Sequence, residues 1–453
     1  MYSRAVERVL KAKKIKIGDH VILLKNGKKY KGVLLPKPDF GDPDTLLIKL
    51  DNGYNTGFRI KNIEIKNLRT KEPENVEKEV EYEFGKIGKR FLNVKFNPKK
   101  PKVSLISTGG TISSRIDYRT GGVYALEKPE EILHNIPELA DIVNLHMMSP
   151  FNKMSEDMQP EDWIEIAKTI AKELNSGKKG VILTHGTDTL HYTSAALSFF
   201  LRNLRKPVVF VGSQRSSDRG SSDAAMNLVC ASHIAVSNIA EVGICMHGAT
   251  DDKYCLFIRG TKARKMHSTR RDAFRPINEK PLAKAWQDGT IEILNNNFKT
   301  RNDNEKVKLD TRFEKKVALL KVYPGSDPDV IDFYIGKKYR GFVVEGTGMG
   351  HVPTFAKKSW VEKIKKHTKD GIPFVITTQT IYGRVNPYVY TNLRKLFLDA
   401  GAISGEDMLS ETAYVKLGWV LGHTKDIKKV KELILTNFAG EITSRTETET
   451  FLI

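Results

Sequence analysis

Hydrophobic and polar positions follow two different rhythms along the chain, and the change falls near Lys102. Up to about residue 70, short runs of alternating apolar and polar residues predict β-strands. Beyond Lys102, compact apolar runs alternate with longer stretches whose apolar positions recur at i, i+3 and i+4. Such an alternation of strands and helices predicts a parallel sheet with helices on both faces.

The N-terminal segment carries two signals for β-hairpins. Asn26-Gly27 and Asn52-Gly53 each lie between β-rich runs, and Asn-Gly is the dipeptide that tight hairpin turns favour. With the alternating run NIEIKNL, about five short strands fall within the first 70 residues and predict a small SH3-like β-barrel. A strongly charged stretch and the two prolines of NPKKPK follow, a composition typical of a linker.

The remainder of the chain divides into two αβ units. In the first, the strands are VSLIS, GVILT, PVVFVG and EVGICM, and SSDAAMNLVCASHIAV is a helix that a Ser/Asp cap opens. A polar, extended stretch precedes the second unit, where YRGFVVEG and PFVITTQ predict further strands. The predicted organisation is a barrel domain (1–90), a linker (91–101), an αβ domain (102–295), a linker (296–315), a second αβ domain (316–440) and a tail (441–453).

Two loops that follow strands are rich in threonine and glycine. In the first, Gly109 and Gly110 present Thr111; in the second, Gly186 presents Thr187 with Asp188 beside it. Ligands of open αβ sheets bind at such loops, beyond the carboxyl ends of the strands. Taken singly, TGGT is also compatible with a phosphate-binding turn or a plain tight connection, and GTDT with a helix cap.

Composition excludes several classes of protein. With 40% hydrophobic and 28% charged residues, the chain is typical of a globular protein. No apolar run reaches the roughly 18 residues of a membrane span, and the N-terminus has no apolar core of a signal peptide. The three cysteines lack metal-ligand spacing, and we expect neither a metal site nor a disulfide framework. Because structural disulfides are typical of secreted proteins, we expect a cytoplasmic location.

The net charge of +20 is unevenly distributed. Residues 1–102 hold 25 Lys and Arg against 13 Asp and Glu, which gives this segment a charge of +12. One interpretation is a solvated lysine surface; the other is a surface that meets nucleic acid. Charge alone leaves both open.

Together the two threonine loops resemble the signatures of the asparaginase/glutaminase family, TGGTI at Thr108–Ile112 and HGTDT at His185–Thr189. Further similar segments follow in the family's order: SEDM (155–158), VGSQRSSDRGSSDAAMNL, RGTKARKMHS with Lys265, FVVEGTGMGHVP (342–353) and TTQTIYGRV (377–385). The resemblance covers roughly residues 100–435. It implies an asparaginase-like, two-domain α/β body with parallel sheets, extended at its N-terminus by the small barrel.

The resemblance implies a role for each motif residue. Thr111 is the nucleophile of the first loop, while Thr187, Asp188 and Lys265 form a second constellation. A threonine hydroxyl needs a neighbouring base. Burial would favour a neutral, basic Lys265, whereas the carboxylate of Asp188 would favour its charged form, and Asp188 could equally orient the lysine or the substrate ammonium.

Further residues are carried over from the family. Tyr124 would help to activate the first threonine, with Tyr118 as a competitor. Ser155 and Glu156 match a Ser-Gln pair that binds the substrate's α-carboxylate and amine, and the glutamate is a departure that puts substrate preference in question. Backbone groups near Gly110, Thr111 or Ser213 are candidates for an oxyanion hole. His185 is compatible with positioning and with chemistry.

A basic N-terminal extension on this body resembles the D subunits of archaeal glutamyl-tRNA(Gln) amidotransferases. The resemblance implies that ammonia is released here from asparagine or glutamine and passed to a partner, the E subunit, which uses ATP and Mg²⁺ to convert Glu-tRNA(Gln) to Gln-tRNA(Gln). It implies a homodimer within a heterotetramer, and no cofactor on this chain, which has no P-loop. The alternatives are a free-standing L-asparaginase with an accessory domain and a catalytically silent binding module.

Overall fold

A computed structural model of the chain describes residues 2–37, 41–50, 55–61, 63–68, 97–116, 123–125, 136, 138–216 and 221–452. Within these ranges the largest sheets have five, eight and four strands, in chain order. Among the helices that the structure describes, none combines the length and the apolar character that a membrane span requires.

The strands are β1 (His20–Lys25), β2 (Lys28–Leu34), β3 (Thr45–Leu50), β4 (Asn55–Arg59), β5 (Glu64–Asn67), β6 (Lys102–Ser107), β7 (Ser114–Ile116), β8 (Val123–Ala125), β9 (Asn144–Met148), β10 (Gly180–Thr184), β11 (Leu201–Arg202), β12 (Val208–Val211), β13 (Val242–His247), β14 (Cys255–Arg259), β15 (Ala263–Lys265), β16 (Phe274–Pro276), β17 (Ala283–Ala285), β18 (Ile291–Ile293), β19 (Lys308–Leu309), β20 (Val317–Lys321), β21 (Gly341–Gly346), β22 (Phe374–Thr378) and β23 (Ile403–Ser404). The helices are α1 (Arg4–Ala12), α2 (Leu139–Ile142), α3 (Pro160–Asn175), α4 (Leu190–Phe200), α5 (Ala224–Val236), α6 (Val330–Gly336), α7 (Trp360–Lys369), α8 (Thr391–Arg394), α9 (Ser410–Leu421) and α10 (Ile427–Leu435).

The N-terminal domain is a five-stranded antiparallel sheet in the order β4-β3-β2-β1-β5. Asn26 and Gly27 join β1 to β2 with φ angles of 50° and 73°, the left-handed pair that a tight hairpin requires, so the predicted first hairpin is confirmed. Strands β3 and β4 also pair antiparallel, whereas the second turn, Asn52-Gly53, lies outside the described residues. Helix α1, which the sequence pattern did not predict, buries Val6 and Leu10 in the core of this sheet.

The first αβ domain is built on an eight-stranded sheet. Strands β6, β10, β12 and β13 are parallel neighbours, as predicted. Strand β9, which the sequence pattern did not predict, is a fifth parallel strand beside β6, and β14, β17 and β18 extend the sheet in antiparallel fashion. All five residues of β10 are buried, because a central parallel strand is covered on both faces. The carboxyl ends of β6, β10 and β12 therefore lie side by side.

Two details of the helices differ from the sequence-based expectation. The helical apolar spacing of TLHYTSAALSFFLRNL predicts a helix that continues to Leu204, but α4 ends at Phe200, since Leu201 and Arg202 pair with Leu309 and Lys308 in a short antiparallel ladder. Of the Ser/Asp cap expected for α5, the Ser222 hydroxyl accepts a hydrogen bond from the Ala224 amide at 3.1 Å, but the Asp223 side chain accepts none from the backbone amides of the first turn. Its carboxylate instead accepts hydrogen bonds from the backbone of a neighbouring loop, which is described below.

The second αβ domain contains the parallel sheet β20-β21-β22-β23. Helix α9 is buried along its whole length between this domain and the first one. A fully buried ion pair of 2.7 Å between Lys262 and Asp407 fastens the junction, and a second one of 2.6 Å joins Lys416 of α9 to Glu441 of the C-terminal tail. The short strand β15, which begins directly after Lys262, is thereby tied to the second domain.

Candidate active site

Three loops meet beyond the carboxyl ends of adjacent parallel strands. Strands β6 and β10 are in register with Ser107 opposite Thr184, and β12 continues the sheet on the other side of β10. The first two loops carry the threonine motifs, and the third begins with Gly212 and Ser213. The sheet itself thus brings together two threonine motifs that begin 77 residues apart in the chain, at Thr108 and His185.

Glycines allow the backbones of these loops to touch. Gly110 has a φ of 81°, and a Cβ atom there would lie 2.4 Å from the Cα atom of Gly186, which no side chain could tolerate. A Cβ atom at Gly212 would lie 2.7 Å from the methyl group of Thr187. Thr111 and Thr187, which directly follow the two touching glycines, are therefore presented from adjacent backbones.

Lys265 connects the second threonine to an acidic neighbour. From the end of β15, its Nζ donates hydrogen bonds to Thr187 Oγ1 at 2.8 Å and to Asp188 Oδ1 at 2.6 Å. The lysine side chain is 10% exposed and the aspartate side chain 64%. The ammonium group therefore lies inside the site against the threonine hydroxyl, while the carboxylate lies at its mouth.

Ser155 supports the same loop through two hydrogen bonds. It is buried, its Oγ accepts a hydrogen bond from the Asp188 amide at 3.2 Å, and its carbonyl oxygen accepts one from the Thr189 hydroxyl at 2.5 Å. An ion pair of 2.7 Å between Lys153 and Asp162 holds the turn that carries Ser155 against the start of α3. Glu156, the next residue, is exposed.

Ser213 lies in a loop with its own internal support. Its buried hydroxyl donates to the carbonyl oxygen of Arg215 at 2.7 Å. The carboxylate of Asp223 accepts hydrogen bonds from the amides of Gln214 at 3.0 Å and Arg215 at 3.1 Å. Burial raises the pKa of Asp223, although these amides oppose the shift by stabilising its charged form. The loop is thus held from beneath by a buried carboxylate.

The segment after Thr111 forms a small hairpin. Thr111, half-buried, opens a 3₁₀ turn (Thr111–Ser113), and β7 then pairs antiparallel with β8, Arg115 lying opposite Tyr124. The hairpin returns the chain of Tyr124 toward the first threonine loop. Tyr118 lies outside the described residues.

His185 has both ring nitrogens engaged. Nδ1 lies 2.7 Å from the carbonyl oxygen of Gly186, to which it must donate, so Nε2 accepts from the Thr193 hydroxyl at 2.9 Å. Burial lowers the pKa of His185 to about 4, which keeps the ring neutral. The arrangement favours positioning of the second loop, one of the two roles that the sequence left open.

The sequence motifs did not single out a group of charges behind Lys265. Arg264 pairs at 2.5 Å with Glu411, which α9 contributes from the second domain, and His191 lies 3.9 Å from the same carboxylate. Burial raises the pKa of Glu411 and lowers that of His191 to about 3. The only signal in the sequence is a glutamate in a largely apolar helix, and this signal does not identify the residue with which it pairs.

The cysteines lie away from this chemistry. Cys230, Cys245 and Cys255 are buried free thiols, and burial raises the pKa of Cys245 and of Cys255. Within the described ranges, no three His, Cys, Asp or Glu side chains are grouped so that they could hold a metal ion.

Fold and site define an asparaginase-type body, and comparison with known proteins agrees. The family model "Asparaginase, N-terminal" matches residues 102–299, and "Glutaminase/Asparaginase C-terminal domain" matches residues 316–434. The L-asparaginase of Thermococcus kodakarensis is similar with a TM-score of 0.66 and 33% identity, and the likeness covers 76% of this chain and 99% of that one. L-asparaginase I of Vibrio cholerae has the same TM-score and coverage of both chains, at 29% identity.

The N-terminal domain distinguishes the chain within this class. The model "GatD N-terminal domain" matches residues 15–68. The D subunit of the glutamyl-tRNA(Gln) amidotransferase of Pyrococcus furiosus is 51% identical over 99% of this chain and 100% of the relative, and that of Methanothermobacter thermautotrophicus is 44% identical over 98% of both. The chain therefore belongs to the family of glutamyl-tRNA(Gln) amidotransferase D subunits.

Proposed function

We propose that this chain is the ammonia-producing subunit of a tRNA-dependent amidotransferase. It hydrolyses the side-chain amide of asparagine or glutamine and supplies the ammonia to a partner, the E subunit. The partner, with ATP and Mg²⁺, converts Glu-tRNA(Gln) to Gln-tRNA(Gln), in keeping with the names of the full-length relatives. The observation that carries the proposal is an asparaginase-type site joined, in one chain, to the N-terminal domain of the D-subunit family.

In the proposed reaction the hydroxyl of Thr111 attacks the amide carbonyl carbon, while Tyr124 helps to remove its proton. Backbone N–H groups around Gly110, Thr111 and Ser213 stabilise the negative oxygen that forms. When the C–N bond breaks, the leaving nitrogen takes a proton and departs as ammonia, and the acid remains as an ester on Thr111. Water then cleaves the ester and restores the hydroxyl.

The second constellation is assigned to proton transfer. Lys265 lies at hydrogen-bond distance from Thr187 and Asp188, the geometry that a shared proton requires. Thr187 relays between Lys265 and the reacting groups, and the exposed carboxylate of Asp188 meets the substrate's α-ammonium group. Ser155 and Glu156 complete the contact with the α-substituents.

The extension of the chain beyond the asparaginase body favours the amidotransferase role over a free-standing L-asparaginase. The solved L-asparaginases align over 99% of their own length but leave about a quarter of this chain unmatched, since they cover 76% of it. We assign the basic N-terminal domain to docking of the partner or the tRNA, in the cytoplasm and as part of a heterotetramer that contains two copies of this chain.

Reconstitution tests the proposal. The full chain, the E subunit, ATP, Mg²⁺ and Glu-tRNA(Gln) should yield Gln-tRNA(Gln) with glutamine or asparagine as donor. A chain that begins at Pro98 should still release ammonia but transamidate poorly with an amide donor, and normally with free ammonium. Ammonium bypasses this chain's chemistry, so it controls for the partner's acceptor site.

Two results would change the assignment. Equal amide-dependent transamidation by the shortened and full chains would remove the N-terminal domain from the mechanism. Failure of the full chain to support transamidation, with ammonia release intact, would favour a free-standing L-asparaginase.

A further inference from the structure

The carboxylate of Asp252 lies at a junction between the N-terminal domain and the first αβ domain. It belongs to the loop between β13 and β14. Three side chains from separate elements surround it: Lys49 Nζ of β3 at 3.0 Å, His247 Nε2 at 3.1 Å and Arg271 Nη1 at 2.6 Å. Although burial alone would raise the pKa of Asp252, its hydrogen bond with His247 and the charges of Lys49 and Arg271 outweigh it and hold the pKa well below the ordinary value.

Two chains of hydrogen bonds and ion pairs, here called arms, start from this junction. One arm leads to the loop of Ser213. His247 Nδ1 donates to Asn227 Oδ1 at 2.6 Å, and Asn227 Nδ2 donates to Asp223 at 3.2 Å and to the carbonyl oxygen of Gly212 at 3.0 Å. Asp223 in turn binds the amides of the loop that follows Ser213. His247, Asn227 and Asp223 are all at most 1% exposed, so water does not compete for these contacts.

The other arm leads to the hairpin of Lys265. Arg271 lies in the turn between β15, which ends at Lys265, and β16. It is buried, pairs with Asp252 and donates a second hydrogen bond to the carbonyl oxygen of Thr250. Arg275 of β16 donates to the carbonyl oxygen of Gly248 at 3.0 Å. The loop that carries Asp252 is thus attached to both sides of the candidate site.

We propose that Asp252 is a positioning residue through which the N-terminal domain sets the geometry of the amide site, with Lys49 as the contact from that domain. Lys49 neutralises the carboxylate oxygen that the two arms leave open and holds the loop in place. When the N-terminal domain shifts on docking a partner, this contact changes, and the two arms carry the change to Ser213 and Lys265. The expected change in KM rests on the proposed function, whereas the expected change in the loop of Ser213 does not.

The test compares two lysines of the N-terminal sheet in the full-length chain. Lys49→Met removes the contact with Asp252, Lys49→Arg retains its charge, and Lys66→Met is the matched control, because Lys66 pairs with Glu64 within its own strand. Two quantities are measured: hydrogen exchange of the Gln214 and Arg215 amides, and KM and kcat for amide hydrolysis. The Lys49 pair is partly exposed, so we expect a modest effect, about a two- to five-fold rise in KM.

In Lys49→Met the amides of Gln214 and Arg215 should exchange about two- to five-fold faster, whereas Lys49→Arg and Lys66→Met should resemble the unmodified chain. The kcat of Lys49→Met should change little, because Lys265 retains its own contacts with Thr187 and Asp188. The double variant of Lys49→Met and Asp252→Asn should show no faster amide exchange and no higher KM than Asp252→Asn alone, since both changes interrupt the same chain of contacts.

The exchange measurement decides the inference even if the chain hydrolyses no amide, an outcome that would refute only the proposed function. Equal amide exchange in Lys49→Met and Lys66→Met overturns the inference. So does amide exchange in Lys49→Arg that is as fast as in Lys49→Met. Should Lys49→Met unfold the N-terminal sheet, Asp252→Asn replaces it, because that residue lies outside the domain. Unchanged exchange at Gln214 and Arg215 in Asp252→Asn would then refute the positioning role.

Discussion

Removal of Lys265 tests the second constellation most directly. In Lys265→Met the hydrogen bond of 2.8 Å to Thr187 and the ion pair of 2.6 Å with Asp188 are both lost, while the methionine retains most of the side chain's volume. Positioned acid–base groups contribute about 10²- to 10⁴-fold to rate, and we expect kcat to fall by that amount. Asp188→Asn keeps an oxygen that can accept a hydrogen bond from Lys265, and the Asp188 side chain is 64% exposed. We therefore expect a smaller fall in kcat for this variant, about ten-fold.

The double variant distinguishes joint from separate action. If Asp188 acts by orienting Lys265, its substitution has nothing left to perturb in Lys265→Met, and the double variant should match the single lysine variant. Ammonia release is assayed at saturating amide, with thermal unfolding as a check of the fold. Lys284→Met, a change at a partly exposed pair with Glu292 in the same domain, should leave kcat unaltered. A double variant that shows the full product of both losses would refute the joint role.

Three further predictions concern the nucleophile, acid stability and the junction between domains. Thr111→Val should abolish ammonia release without lowering the unfolding temperature, and Thr111→Ser, which keeps the hydroxyl, should retain part of the activity; undiminished turnover in the valine variant would exclude Thr111 as nucleophile. Burial lowers the pKa of His185 from 6.5 to about 4, so its contribution to stability is complete above pH 6.5 and declines as the pH falls toward 4, by about 3 kcal/mol. Urea midpoints between pH 7 and 4 should therefore decline less steeply in His185→Gln than in the unmodified chain. Lys262→Met removes the close ion-pair partner of the buried Asp407 carboxylate and leaves only Arg384, at 3.7 Å. It should destabilise the junction by about 3 to 5 kcal/mol, measured as an earlier urea transition, and Lys262→Met combined with Asp407→Leu should recover part of the loss.

Features that depend on local sequence were predictable. A tight two-residue hairpin requires two successive left-handed residues, and Asn26-Gly27 supplies them. Gly110 and Gly186 allow two loops to touch, and parallel strands bring those loops to one edge of the sheet. The pattern therefore located Thr111 and Thr187, although it could not specify that Lys265 bonds to both Thr187 and Asp188.

Features that depend on pairing across the fold were not predictable. Asp223 precedes a helix, where a carboxylate ordinarily caps, yet it binds the amides of Gln214 and Arg215 because the third loop lies over it. Glu411 and Arg264 are 147 residues apart, and nothing in either segment indicates the other. A buried charge in the sequence shows that a partner exists, but the packing of domains decides which one.

Two carboxylates near the mouth of the site bear on the choice of substrate. Asp188 is largely exposed, and its amide binds Ser155, directly before the exposed Glu156. Both carboxylates would attract the α-ammonium group that asparagine and glutamine share, so they cannot distinguish the two donors. Discrimination would have to come from the distance between these anchors and Thr111, because the donors differ by one methylene group. A difference of that size is worth only about 1–3 kcal/mol, so under the proposed function we expect a preference between the two amides rather than strict exclusion of either.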